Sequence, residues 1–107
     1  MNKIIVIPMS KNEAQDKFNI STWSKWGCGV DTFDWSYEQS EICYILEGHA
    51  DVSYNDQTVS FKCGDLVYFP EGLSCVWHVK SPIRKFYALN YPIDDTILTY
   101  NMNKPKR

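Results

Sequence analysis

A chain of 107 residues with a formal charge of −2 has room for one domain with a real core, and is too short for two. Its hydrophobic fraction of 44% and charged fraction of 22% are those of an ordinary globular protein, which argues against disorder except near the ends. The charge gives no general pull toward nucleic acid, and the basic end Lys104-Pro105-Lys106-Arg107 reads as a short solvated tail.

Along the chain, Ile4-Ile5-Val6-Ile7 reads as an opening strand. Pro8 ends the run well short of a signal-peptide core or a spanning helix, so no membrane association is expected. Cys28, Cys43, Cys63 and Cys75 lack the C-x2-C spacing of a zinc knuckle or a thioredoxin-like motif. Reduced thiols and a cytoplasmic location follow as expectations. Ser10-Lys11-Asn12-Glu13 fits a capping box, but the polar stretch to Lys17 supports one or two helical turns at most. Trp23 and Trp26 bring apolar surface with no helical continuation, because Gly27 and Gly29 follow.

From Val30 onward the pattern is strand after strand. Residues 41–47 and 50–54 read as two strands of a hairpin turning at Gly48-His49. Asn55-Asp56-Gln57 turns the chain into a strand over 58–62, and Gly64-Asp65 turns it into one over 66–69. After Pro70-Glu71-Gly72 come strands over 74–80 and 83–91, separated by Ser81-Pro82. A last edge strand is expected over 96–100, or a tail that wraps a partner. Many short strands with Gly/Pro punctuation predict an all-β barrel or sandwich.

Alternation assigns faces: Trp35 pairs with Tyr37, Cys75 with Trp77, and Glu41 with Cys43 and Ile45, while Ile42, Tyr44 and Leu46 face the other way. Both faces of the 41–47 strand are apolar enough to be covered. The chain has little material for a second layer, which predicts a homodimer. Arg84 and Lys85 fall on opposite faces. His49 in its turn is expected to be exposed, and His78 points away from Cys75 and Trp77. The two histidines make neither a zinc site nor a triad, and no glycine pattern fits a phosphate loop.

Two glycine-bracketed segments carry a resemblance. They are Gly29-x5-Trp35-Ser36-Tyr37-x3-Glu41-x6-Gly48 and, fifteen residues on, Gly64-x5-Pro70-Glu71-Gly72-x2-Cys75. Their spacing resembles the two cupin signature motifs, and the match looks closest to small single-domain cupins similar to the cupin domain of (S)-ureidoglycine aminohydrolase. The resemblance implies a single-domain β-barrel (jelly roll) over residues 1–107, with its core over 20–91 and a tail over 92–107. It implies an internal site as well. A typical cupin holds a metal with two His, a Glu and a further His, whereas the matching positions here are Trp35, Tyr37, Glu41 and Cys75.

Glu41 is then the candidate acid/base, since a buried carboxylate must be paired, metal-bound or protonated. Its bland alternative is a structural Glu satisfied by Lys85 or Tyr37. Trp35, Tyr37 and Trp77 are candidates for an aromatic wall that stacks on a small ligand, with Cys75 and Lys85 beside it. The leading expectation is a barrel that binds a ureide-like or carboxylate-bearing metabolite and acts on it hydrolytically. One alternative is a divalent transition metal held by Glu41 and Cys75. The other is a sealed barrel that serves as a non-catalytic sensing or interaction domain. A cavity beside Glu41 separates the ligand-binding readings from the sealed one.

Overall fold

The computed structural model describes residues 3–92. Strand β1 (Ile5–Pro8) opens the chain, followed by helix α1 (Lys11–Phe18) and a single 3-10 turn (Ile20–Thr22). Then come β2 (Ser24–Cys28), β3 (Asp31–Ser36), β4 (Glu41–Tyr54), β5 (Gln57–Lys62), β6 (Asp65–Phe69) and β7 (Ser74–Leu89). All seven strands join one antiparallel sheet in the order β1-β6-β4-β7-β2, with β3 also on β7 and β5 also on β4. The sheet wraps into the expected all-β, single-domain barrel. The expected C-terminal edge strand, and the basic end, lie outside the described residues.

Helix α1 starts where the capping box places it. Ser10 Oγ accepts from the Glu13 backbone N–H at 3.1 Å, satisfying one of the orphan donors of the first turn. Asn19 in the left-handed region ends it after eight residues.

Two boundaries differ from the sequence expectation for one reason. Gly48 does not turn a hairpin: β4 runs unbroken through it, and β7 runs unbroken through Ser81-Pro82. The β4–β7 register shifts on both sides of Gly48, which has φ +93° and faces Pro82. This is a β-bulge. A proline that cannot donate to the ladder is tolerated there, and a glycine supplies the conformation that lets the strands cross closely. The bulge moves the interior face of β4 from Glu41, Cys43 and Ile45 before it to Ala50, Val52 and Tyr54 after it. A further strand, β2, was not expected near Trp26; it pairs with the second half of β7 while β3 pairs with the first.

Both faces of β4 are covered, as its composition requires, but the outer cover comes from the same chain. Ile42 and Tyr44 pack with Ile5 and Ile7 of β1, Met9 just after it, Ala14 of α1 and Ile20 of the 3-10 turn. Tyr44 Oη donates to the Met9 carbonyl at 2.8 Å, and the Ile4 N–H donates to Tyr54 Oη at 3.1 Å, tying that segment down. The N-terminal segment thus supplies a second layer over that face.

A Cβ at Gly48 would lie against the Pro82 carbonyl oxygen and 2.7 Å from Ile83 Cα, whereas one at Gly29 would meet nothing within 4 Å. Urea denaturation should therefore find Gly48→Ala destabilised by at least about 2 kcal/mol and Gly29→Ala within about 0.5 kcal/mol of the parent. Equal midpoints for the two would refute the close crossing.

Candidate functional site

At one end of the barrel β7, β2, β3 and the start of β4 converge on a pocket of about 210 Å³. Its lining is Trp26, Phe33, Trp35, Tyr37, Glu41, Trp77, Lys85, Tyr87 and Leu89. Strand parity assembles it: Lys85, Tyr87 and Leu89 alternate along β7, as Phe33, Trp35 and Tyr37 do along and just beyond β3. Trp26 enters because it sits opposite Lys85 in the β2–β7 register.

The polar centre is an ion pair. Lys85 Nζ lies 2.6 Å from Glu41 Oε2, and the residues are only 6% and 7% exposed. Lys85 is in register with Ile45, so its side chain reaches along the barrel interior toward the first residue of β4. The ammonium also lies 4.9 Å from the Trp77 ring centroid and 5.0 Å from that of Trp26, within the range of cation–π attraction. The alternative of a structural Glu satisfied by Lys85 is thus realised in its geometry, yet the pair lines an accessible pocket.

Tyr37 is held from both sides of its backbone by the turn of the second motif. Its N–H donates to the Leu73 carbonyl at 2.8 Å, and the Gly72 N–H donates to its carbonyl at 2.7 Å. Gly72 has φ +85°, a conformation that costs glycine little. The Tyr37 ring stacks on Phe69 with centroids 4.8 Å apart, and its hydroxyl accepts from Trp77 Nε1 at 3.2 Å. Burial first, and the Glu41 charge second, push the phenol far above its ordinary value, so it remains a protonated hydroxyl. Trp77 is itself buried and stacks on Phe33, with centroids 6.0 Å apart. Trp35 takes a different place from the expected wall: at 51% exposed it forms the rim with Leu89, which is 50% exposed.

Cys75 is not brought into the pocket lining. It shares the interior face with Trp77, but it packs into the core, its thiol lying 3.6 Å from the Trp35 carbonyl. Burial pushes it up to about 11, with Lys85 pulling the other way, which favours the thiol over the thiolate. The residues present do not fit a divalent metal. Glu41 is engaged by an ammonium that would repel a cation, and among the described residues no three His, Cys, Asp or Glu side chains gather to hold one.

The histidines stay out of the site. His49 is half-exposed, 3.3 Å from Asp51, and His78 lies 3.5 Å from Ser53 Oγ. Arg84 faces outward, 3.7 Å from Glu47. Sequence reasoning missed Trp26, Phe33, Tyr87 and Leu89, although parity with Tyr37 and Lys85 already marked Phe33, Tyr87 and Leu89.

Removing one member of the buried pair leaves the other uncompensated. In denaturation experiments Lys85→Met should cost about 3–5 kcal/mol, and Glu41→Gln combined with Lys85→Met should recover much of that loss. Two additive losses would mean the charges are not coupled.

The thiols give a second expectation. Cys43 is pushed up to about 12 by complete burial and Cys75 to about 11, from an ordinary 9.0. The unfolded chain releases these protons near pH 9 while the folded chain still holds them. Their contribution is therefore intact below about pH 9 and is lost as pH rises through 11 to 12. Cys43→Ala and Cys75→Ala should each flatten the alkaline limb of the stability profile; an unchanged limb would contradict the burial of these groups.

Comparison with known proteins supports the fold. Residues 16–87 match the EutQ-like cupin domain. A DUF861-family protein of Thermotoga maritima superposes with a TM-score of 0.76 at 36% identity, covering 81% of this chain and 99% of that one. The Clostridium difficile EutQ protein gives 0.58 at 30% identity, over 65% of this chain and 55% of that one. Acetate kinase EutQ of Clostridioides difficile (strain 630) is 31% identical over 85 residues, 75% of this chain and 54% of that protein. The chain therefore spans about half the length of this curated relative, and 24% of the Escherichia coli (strain K12) protein of the same name. No described helix is long and apolar enough to cross a membrane. With its barrel, its two motif turns and this match over most of its length, the chain belongs to the EutQ-like cupin family.

Proposed function

We propose that the pocket binds a small planar metabolite carrying a ureide or carboxylate group, held between aromatic rings and the Glu41–Lys85 pair. The observation that carries this reading is the pair itself, buried at 2.6 Å yet lining a pocket whose rim residues are exposed. A barrel serving only as a packed core has no need for two charges there, since hydrophobic residues of similar volume do as well or better. The volume is below the range of about 300–1,000 Å³ typical for drug-sized ligands, which points to a small metabolite. Trp26, Phe33, Trp77 and Tyr87 offer ring faces and edges, Lys85 offers N–H donors, and Glu41 offers acceptor oxygens.

The hydrolytic extension makes Glu41 a general base for water attacking a bound ureide, a role suggested by the narrower resemblance to (S)-ureidoglycine aminohydrolase. Positioning by the rings and Lys85 would supply the orientation such a step needs. A second reading follows the printed name of the curated relatives, acetate kinase: their substrate is a short carboxylate, and Lys85 is a cation suited to one. In that reading the ligand competes with Glu41 for the ammonium.

A thermal-shift screen of ureides, short carboxylates, amino acids and divalent metals tests both readings, because a ligand of the folded state raises the melting temperature by mass action. Stabilisation by ureides or carboxylates, lost in Lys85→Met, is the expected result; stabilisation by none of them would remove the proposal. For any ureide that binds, ammonia release at saturating ligand should vanish in Glu41→Gln, whose side-chain amide keeps one acceptor oxygen. Unchanged turnover in that variant would dismiss the hydrolytic part.

A further inference from the structure

Among the residues lining the pocket, Tyr37 has a hydroxyl whose hydrogen-bond balance constrains the ligand. An indole N–H can only donate, so in the 3.2 Å contact with Trp77 Nε1 the Tyr37 oxygen must be the acceptor. Its own O–H hydrogen is then available to an acceptor, and among the described residues the one side-chain partner of the hydroxyl is Trp77. Tyr37 is 4% exposed, and a phenolic hydroxyl can accept one hydrogen bond while donating another. Its position is fixed by the two backbone hydrogen bonds to Gly72 and Leu73 and by the stack on Phe69. The residue lines the pocket together with Glu41 and Lys85.

We propose that the Tyr37 hydroxyl donates to the carbonyl oxygen of the bound ligand, with Trp77 orienting it, and that the site thereby selects a carbonyl flanked by N–H. This deepens the ligand-binding reading above and rests on it. The complement of the pocket is specific. Tyr37 O–H and the remaining Lys85 N–H groups are donors, and the Glu41 carboxylate is an acceptor. A urea or amide satisfies both kinds at once, its oxygen accepting and its N–H donating. A bare carboxylate can only accept, and it sets a second negative charge beside Glu41. Of the two ligand classes named above, the ureide and amide class is the one this polarity favours.

The test is a matched pair of probes in ligand-observed NMR titrations, 2-imidazolidinone and its sulfur analogue 2-imidazolidinethione. They share ring shape and N–H groups and differ in the acceptor, sulfur being the weaker one. The wild type should bind the oxo compound about fivefold to tenfold more tightly, as expected for one hydrogen bond, and Tyr37→Phe should abolish the difference. Should the orphaned Trp77 N–H destabilise that variant, Tyr37→Phe combined with Trp77→Phe removes both partners and allows the same comparison. An oxo preference that survives in Tyr37→Phe, or equal binding of both probes by the wild type, overturns the donor assignment and leaves the pocket reading standing. Failure of the wild type to bind either probe overturns the assignment together with its ureide premise.

Discussion

Burying an ammonium and a carboxylate in a barrel of this size costs several kcal/mol per ion unless geometry and surroundings compensate. Glu41 and Lys85 meet that condition at 2.6 Å, and much of the architecture around them follows from it. The pair needs a fixed β4–β7 register, since the lysine must reach along the interior from opposite Ile45. It also needs low-polarity walls that still favour a cation, and rings at 4.9 Å and 5.0 Å from Nζ provide them. The same walls make a pocket, so the structural requirement and the ligand-binding surface are built from the same side chains.

The register itself depends on the bulge at Gly48. Two long strands, β4 and β7, serve both halves of the barrel, and unbroken alternation would carry one face of β4 from core to surface midway along. The extra residue at the bulge changes parity, so that Glu41, Cys43 and Ile45 at one end and Ala50, Val52 and Tyr54 at the other all point inward. Gly48 and Pro82 read as turn residues because the chemistry of turns and of bulges is the same: a positive φ and a missing donor. Local sequence cannot distinguish chain reversal from a kink in a continuing strand.

A similar ambiguity governs the outer layer. Two apolar faces on the 41–47 segment showed that something covers both, but composition does not say whether the cover is a neighbour in the chain or another molecule. The segment before residue 24 supplies the cover because Ile5 and Ile7 of β1, Met9 just after it, Ala14 of α1 and Ile20 of the 3-10 turn meet on one surface.

Sequence alone determined the all-β character, the helix start at Ser10, the shared face of Glu41, Cys43 and Ile45 and the opposed directions of Arg84 and Lys85. Each depends on local periodicity or turn chemistry, which act over a few residues. Tertiary structure alone decided which residues gather in the pocket. Trp26 joined through register across β7, Lys85 found Glu41 from 44 residues away, and Cys75, despite the right parity, packs in the core and does not line the pocket. Parity states which side of a strand a residue faces, and depth along the barrel is set by strand pairing at long range. A cysteine in a ligand position of the motif and a cysteine in the core look the same until that pairing is known.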